Sequence, residues 1–403
     1  MSKRKTPILR FKGFNNAWEQ RKLGDYGSVK MNKRIFKNQT SPNGDIPFYK
    51  IGTFGKKADS FISKKLYEKY KVKYPYPKIG DLLISASGSI GRIIEYKGKK
   101  AYFQDSNIVW LSHNSKLLNI YLKQYYQRIN WNNIEGTTIK RLYNKDILTT
   151  HISVPNIKEQ KRIGNLLNLV DNLLVLQKRK YEELKLLKKA LMQNMFADNA
   201  FYPNLRFKGF VYKWKQYKLN DLGYTFSGLS GKSKKDFGHG KAQYVTYMNV
   251  FSNPIANLEM TEHIEIDNKQ NSVKYNDIFF TTSSETPEEV GMSSIWLGKE
   301  TNTYLNSFCF GFRLTKRIDS YYIAFMLRSP SFRRKMMVLA QGISRFNISK
   351  NKVMNIKILL PKISEQKRVG ITIKKVDNTV KLQVKFINKI KKFRKFLLQN
   401  MFI

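Results

Sequence analysis

A carboxylate ahead of a short apolar run, with a Glu-x-Lys triplet after it, is a pattern found in metal-dependent nucleases. Asp81, the run after it and Glu95-Tyr96-Lys97 follow that pattern. The chain argues against the reading itself. Asp277 stands at the matching place further on, but the later segment there reads Trp296-Leu297-Gly298-Lys299. Two aspartates shaping the turn before a strand account for what recurs. A methyl-transfer centre would need a glycine-rich cofactor turn and an Asn/Asp-Pro-Pro-aromatic loop, and Asn253-Pro254-Ile255 departs from the latter. No Gly-x4-Gly-Lys-Ser/Thr phosphate loop occurs. Ser87-Gly88-Ser89-Ile90-Gly91 lacks the leading glycine of a nucleophile elbow. His113, His151, His239 and His263 are scattered without ligand spacing. The expectation is a chain that is not an enzyme and binds neither metal nor cofactor.

What remains is charge. The 403 residues hold 74 Lys+Arg against 29 Asp+Glu, a formal net charge of +45. Self-repulsion on that scale opposes compaction unless an anion covers it, and nucleic acid is the expected counterpart. A codon bias toward lysine contributes, but does not explain the shortage of carboxylates. No apolar run approaches the ~18 residues that span a bilayer. The basic N-terminus MSKRKTPILRFKGF lacks the apolar core of a signal peptide. Cys309 is the sole cysteine, so there is no disulfide framework. A cytoplasmic protein with no membrane partner is expected.

Base edges are read by side chains with paired donors or acceptors, Arg on guanine and Asn or Gln on adenine, while Lys and hydroxyls hold phosphates. Four early segments fit. KMNKRIFK (30–37) offers Lys33, Arg34 and Lys37 around Phe36; Lys56 and Lys57 form a second group. SASGSIGR (85–92) offers Ser87, Ser89 and Arg92, with Gly88 and Gly91 allowing close backbone approach. GTTIKR (136–141) offers Thr137, Thr138, Lys140 and Arg141. Later, GKSKK (231–235) supplies Lys232, Lys234 and Lys235. TTSSET (281–286) supplies Ser283 and Ser284, made acidic by Glu285, Glu288 and Glu289; carboxylates either accept from cytosine N4 or face away. GISRFN (342–347) supplies Ser344, Arg345 and Asn347. The two glycine-led segments are favoured most, because each stands just before a strand leading into a long helix. A solvated basic loop is the plain alternative at every one.

The elements that must position these side chains are legible. DLLIS (81–85), NIVWL (107–111) and DIFFT (277–281) read as buried strands, and SFCFGFRL (307–314) alternates like a half-buried one. Residues 120–129 and 321–341 read as helices, the latter broken at Pro330. ILTTHISVP and VMNIKILLP read as strands entering the long helices. In the first long helix Ile163, Leu166, Val170, Leu173, Gln177, Tyr181, Leu184, Leu187, Leu191 and Met195 recur at threes and fours. In the second, Val369, Thr372, Val376, Thr379 (beside Val380), Gln383, Ile387, Ile390, Phe393, Leu397 and Met401 keep the same register. These are coiled-coil seams, and each helix is the natural partner of the other. Gln177 and Gln383 share one slot, as a register-fixing polar pair or as edge residues. Asn156 and Glu159 have the spacing of a capping box.

The frame occurs twice. LRFKGFNNAWEQRKLGDYG (9–27) returns as LRFKGFVYKWKQYKLNDLG (205–223), and VPNIKEQKRIG…QNMF (154–196) as LPKISEQKRVG…QNMF (360–402). Phe11 and Phe207 are 196 residues apart, Asp171 and Asp377 are 206 apart, and the stretches between the repeated blocks diverge. The duplicated LRFKGF…W motif, the paired EQKRIG and EQKRVG helices and the QNMF endings resemble the specificity (S) subunit of type I restriction–modification enzymes over essentially the whole chain. The second helix departs modestly, with Thr372 and Thr379 in its seam and no clear cap.

That resemblance implies an α+β fold: two globular, α/β-mixed target-recognition domains separated by two long antiparallel coiled-coil helices, with an internal pseudo-two-fold repeat. The expected bounds are 1–156 for the first recognition domain, 157–197 for the first spacer helix, 198–362 for the second domain and 363–403 for the second helix. It also implies double-stranded DNA as ligand, read as an asymmetric two-part site. The implied partners are two methyltransferase (modification) subunits carrying S-adenosylmethionine and restriction (motor-nuclease) subunits using ATP and Mg. Two-fold proteins address half-sites about 34 Å apart, a separation that paired helices would set. The competing readings are a basic coiled-coil protein that binds nucleic acid without sequence choice, and the single-chain nuclease already weighed.

Overall fold

A computed structural model describes residues 6–131, 141–198 and 200–403. The chain forms two compact units, one of residues 1–178 and 386–403, the other of residues 179–385. Both boundaries fall inside the long helices, Ile157–Asn194 and Ile363–Asn400, so each unit holds part of both.

The first unit is built on a four-stranded antiparallel sheet in the order Gly27–Met31, Ile108–His113, Leu82–Ser85, Ile93–Glu95. A smaller sheet joins Phe61–Ile62, Ile46–Tyr49 and Tyr102–Phe103. A third pairs Glu19–Lys22 with His151–Val154. The second unit repeats all three. Its main sheet runs Gly223–Ser227, Cys309–Leu314, Ile278–Thr281, Ser293–Ile295. Its smaller sheet is Thr261–Ile264, Phe237–Val245, Thr303–Leu305, and Lys215–Lys218 pairs with Lys357–Leu360. The central strands are continuous apolar runs because both faces are covered.

Each unit is closed by a QNMF ending, and in the first unit that ending comes from the far end of the chain. Trp18 packs edge-on against Tyr121 and Phe402, and Leu9 N–H donates to Asn400 O at 2.8 Å. In the second unit Trp214 and Phe196 flank Tyr322, and Leu205 N–H donates to Asn194 O at 2.8 Å. The spans expected from the linear order therefore do not coincide with the compact units.

Several local expectations are corrected. The strand Cys309–Leu314 is buried on both faces over its first four residues, because Gly311 admits the ring of Phe226 against the backbone; Phe308 lies outside it, exposed. ILTT and VMN are not strand: they end the short helices Asn144–Thr149 and Lys350–Met354 that precede His151–Val154 and Lys357–Leu360. Pro330 does not bend a helix; it takes the first position of Pro330–Val338, where its missing N–H costs nothing, behind the Ser329 cap.

Within each unit the long helices run antiparallel. In the first, Asp171 meets Arg394, while Ile163, Leu167 and Val170 share a core with Ile390, Leu397 and Met401. In the second, Lys188 meets Asp377 at 2.5 Å, while Met192 and Met195 share a core with Val369 and Ile373. The seam departs from expectation at two leucines of the first helix and at Thr379 and Phe393 of the second, which are exposed. Leu173 and Leu187 are exposed, and Leu174 rather than Leu173 borders the core. Leu166, Leu184, Leu191, Val376 and Val380 are half-buried, and Ile387 is buried. Gln383 is buried and Gln177 half-buried.

Candidate nucleic-acid interface

The repeated motifs are the scaffold of the interface, and they touch one another. In EQKRIG, Glu159 takes two hydrogen bonds from Arg10, from Nε at 2.7 Å and Nη2 at 2.8 Å. Gln160 accepts from Leu118 N–H and donates to Lys116 O and Pro155 O. Arg162 lies over the rings of Phe11 and Phe14. In EQKRVG, Glu365 takes Arg206, Gln366 accepts from Asp319 N–H and donates to Pro361 O, and Arg368 covers Phe207. The expected capping box is half present: Asn156 accepts from Glu159 N–H at 3.0 Å, but the glutamate side chain belongs to Arg10.

On this frame the hydroxyl-rich loop and the segment before the scaffold strand are stitched together in both units. Ser87 bridges Arg141; Leu142 N–H donates to Ala86 O at 2.8 Å. Ser283 pairs with Asn347; Ile348 N–H donates to Thr282 O at 3.0 Å. Ser87 and Ser283 are 196 residues apart, Arg141 and Asn347 are 206 apart, the offsets of the two repeated blocks. Equivalent backbone thus presents different side chains. The second loop is braced from below: Arg333 donates to Glu288 O, Val290 O and Gly291 O, and Arg328 to Val250 O and Ser293 O. Burial pushes the Arg333 guanidinium down to about 10 and that of Arg328 to about 9, with Arg333 lowering Arg328 further and Asp377 opposing.

The predicted contact residues sort by freedom. Lys33, Lys37, Lys56, Lys57, Ser89, Lys234, Lys235, Ser344, Arg345 and Asn347 are exposed. Arg34 is exposed but pairs with Asp105 at 3.1 Å. Arg92 lines a cleft of about 230 Å³ with Lys56, Gly88 and Ser89, and donates to Phe54 O. Ser87 Oγ donates to Asn107, and Arg141 to Ser106 O. Two residues are engaged within their unit. Ser284 is buried, its hydroxyl donating to Thr286 O, and Lys232 is held by Asp267 at 2.7 Å. Hydrogen bonds from Lys232, the Lys269 backbone and Gln270 hold the Asp267 carboxyl down at about 2. Thr137, Thr138 and Lys140 lie outside the described residues. Glu285, Glu288 and Glu289 are exposed.

The carboxylates of the nuclease-like pattern and the lone cysteine have structural roles. Asp81 accepts from Lys78 N–H at 2.8 Å and Asp277 from Lys274 N–H at 2.7 Å, so both close the turn before a strand. Glu95 pairs with Lys123. Burial pushes the Cys309 thiol up to about 12. Among the described residues no His/Cys/Asp/Glu group could hold a metal, and no helix is long and apolar enough to cross a membrane.

Two mixed α/β units on one duplicated frame, each presenting a different loop pair beside paired long helices, define a tandem recognition protein. The family model described as "Type I restriction modification DNA specificity domain" matches residues 15–186 and 212–392, and the chain belongs to that family. A Haemophilus influenzae protein named as a type I restriction enzyme specificity subunit is 55% identical over 152 residues, which are 38% of this chain and 40% of that protein. The Methanocaldococcus jannaschii type I restriction enzyme MjaVIII specificity subunit is 24% identical, covering 78% of this chain and 76% of the relative. The fold is that of the type I restriction–modification S subunit from M. genitalium, with TM-score 0.61 at 17% identity over 99% of both chains.

Proposed function

We propose that the chain is the DNA-specificity subunit of a type I restriction–modification complex. The observation that carries the reading is the pair of equivalent stitches, Ser87 to Arg141 and Ser283 to Asn347, on which unlike side chains are displayed. Each unit reads one half of a split, asymmetric site. Arg345 and Asn347 suit guanine and adenine edges, and the exposed lysines and hydroxyls hold phosphates. The chain is itself non-catalytic and works in the cytoplasm. Two methyltransferase subunits bring S-adenosylmethionine, restriction subunits bring ATP and Mg, and the long helices dock them.

The test is to exchange residues 28–150 for those of a relative with a different site and map methylated positions in host DNA. One half of the site should change and the other persist. Change in both halves, or methylation by the purified chain alone, rejects the reading. Equal binding to every duplex at fixed salt would instead favour a basic protein without sequence choice.

A further inference from the structure

We propose that the helix Lys64–Lys73 is a phosphate-backbone clamp of the first unit, working through Lys65, Lys69 and Lys73 together with Lys33. This rests on the reading that the chain binds duplex DNA. The sequence of the helix is KKLYEKYKVK, five lysines and one glutamate, and all five lysines are exposed. Its inner face is used up by packing: Tyr67 is buried among Ile46, Phe48, Ile62 and Tyr102, with Leu66 and Tyr70 beside it. Lys65, Lys69 and Lys73 stand at i, i+4 and i+8, one stripe about 12 Å long. Phosphates of one DNA strand advance about 3.4 Å along the axis, so the stripe spans about three to four such steps.

Helix stability does not explain the stripe. Like charges four apart oppose the helix. Lys64 and Lys65 stand in the first turn, which holds no acidic residue and where the dipole disfavours cations; only Lys71 and Lys73, in the last turn, are favoured by it. Among the described residues, none of the five lysines has a carboxylate within ion-pair distance. An external anion is what this arrangement lacks.

The stripe joins the contacts already described. Lys73 and Lys33 lie over the same ring, Tyr74, at 5.9 and 5.4 Å from its centroid. Asn32 donates to Pro75 O at 3.1 Å, which ties the segment carrying Lys33 to the helix end. Behind it, Tyr76 donates to Ala101 O at 2.6 Å and bonds Tyr96 at 3.0 Å, a rigid backing. The helix lies in the divergent insert; the second unit has none between Ile264 and Ile278. The clamp is therefore one-sided.

The test uses the full chain with K65Q/K69Q/K73Q and, as control, K97Q/K99Q/K100Q, three exposed lysines of another loop in the same unit. Anisotropy with a random-sequence 40-bp duplex is followed from 50 to 200 mM NaCl. The slope of log K against log salt should become shallower by about 2–3 in the first variant, at about 0.9 per phosphate contact. It should stay near wild type in the control. An unchanged slope, or equal flattening in both variants, overturns the clamp. Sequence choice is measured separately on the mapped methylation site: the first variant should keep the wild-type preference over random duplex. Loss of that preference in the variant makes the helix a base reader and overturns the clamp. Absence of preference in the wild type rejects the specificity reading and leaves the slope result standing.

Discussion

Arg206 grips Glu365 through Nε to Oε1 at 2.7 Å and Nη2 to Oε2 at 2.8 Å, and Arg10 grips Glu159 with the same atoms at the same two distances. The same Nη2 also donates to the Tyr212 carbonyl in one unit and to that of Asn16 in the other, at 2.7 Å in both. Both glutamates are buried. The pair fastens the opening motif of a repeat to the first turn of its long helix. Arg206→Met leaves a buried carboxylate without its partner, and should cost about 3 kcal/mol. The R206M/E365L double variant should recover much of that loss. Urea midpoints check both; equal losses in the single and double variants would show that the ion pair is not what the site supplies.

Gly164 and Gly370 occupy the same place in the two EQKR helices. A Cβ on Gly164 would meet Ile120 backbone at 2.9 Å, and one on Gly370 would meet Tyr322 N at 2.5 Å. Alanine improves helix propensity by about 1 kcal/mol, but backbone atoms on the other side cannot give way as a side-chain tip can. Gly370→Ala should therefore destabilise by about 1–2 kcal/mol net. Thermal or urea unfolding that showed a more stable G370A protein would contradict this contact.

Lys188 and Asp377 give a pH-dependent tie between the long helices of the second unit. Burial pushes the Asp377 carboxyl up, but Lys188 and Lys381 outweigh it and hold it below the ordinary value. A carboxyl depressed in the folded state adds stability above its unfolded pKa, about 4, and loses it as pH falls through the folded value. Lys188→Met should be less stable than wild type at pH 7, and the gap should narrow at pH 3. Urea titrations at the two pH values measure it; a gap independent of pH would assign the loss to packing.

Arg345 stands two residues before Asn347, the partner of Ser283, and is exposed. On the proposed function, Arg345→Ala should relax one position in the second half-site by about 1–3 kcal/mol and leave the first half-site untouched. Binding to single-substituted duplexes checks it. Uniform weakening across all sequences would make Arg345 a phosphate contact instead.

Much of this protein was written in one dimension. Duplication, the long helices and the central strands follow from spacing, because period and repetition are properties of sequence. The roles inside EQKR were not legible. Glu159 has capping-box spacing after Asn156, yet its carboxylate goes to Arg10, 149 residues away. No local signal encodes so distant a partner, although the recurrence of Arg10 and Glu159 as Arg206 and Glu365 marked both ends of the bond.

Composition and repetition alone determined the class: a basic, duplicated frame around divergent inserts. Tertiary structure decided which candidate side chains are free. Ser284 turns inward, Lys232 is taken by Asp267, and Leu173 faces out where Leu174 borders the core. It also decided that the opening motif of the first unit is closed by Phe402, from the other end of the chain. A seam fixes a period but leaves its phase to the neighbouring surface, and a hydroxyl or lysine declares its chemistry but not its partner. Those choices are made only when distant segments meet and each buried polar group must find a bond.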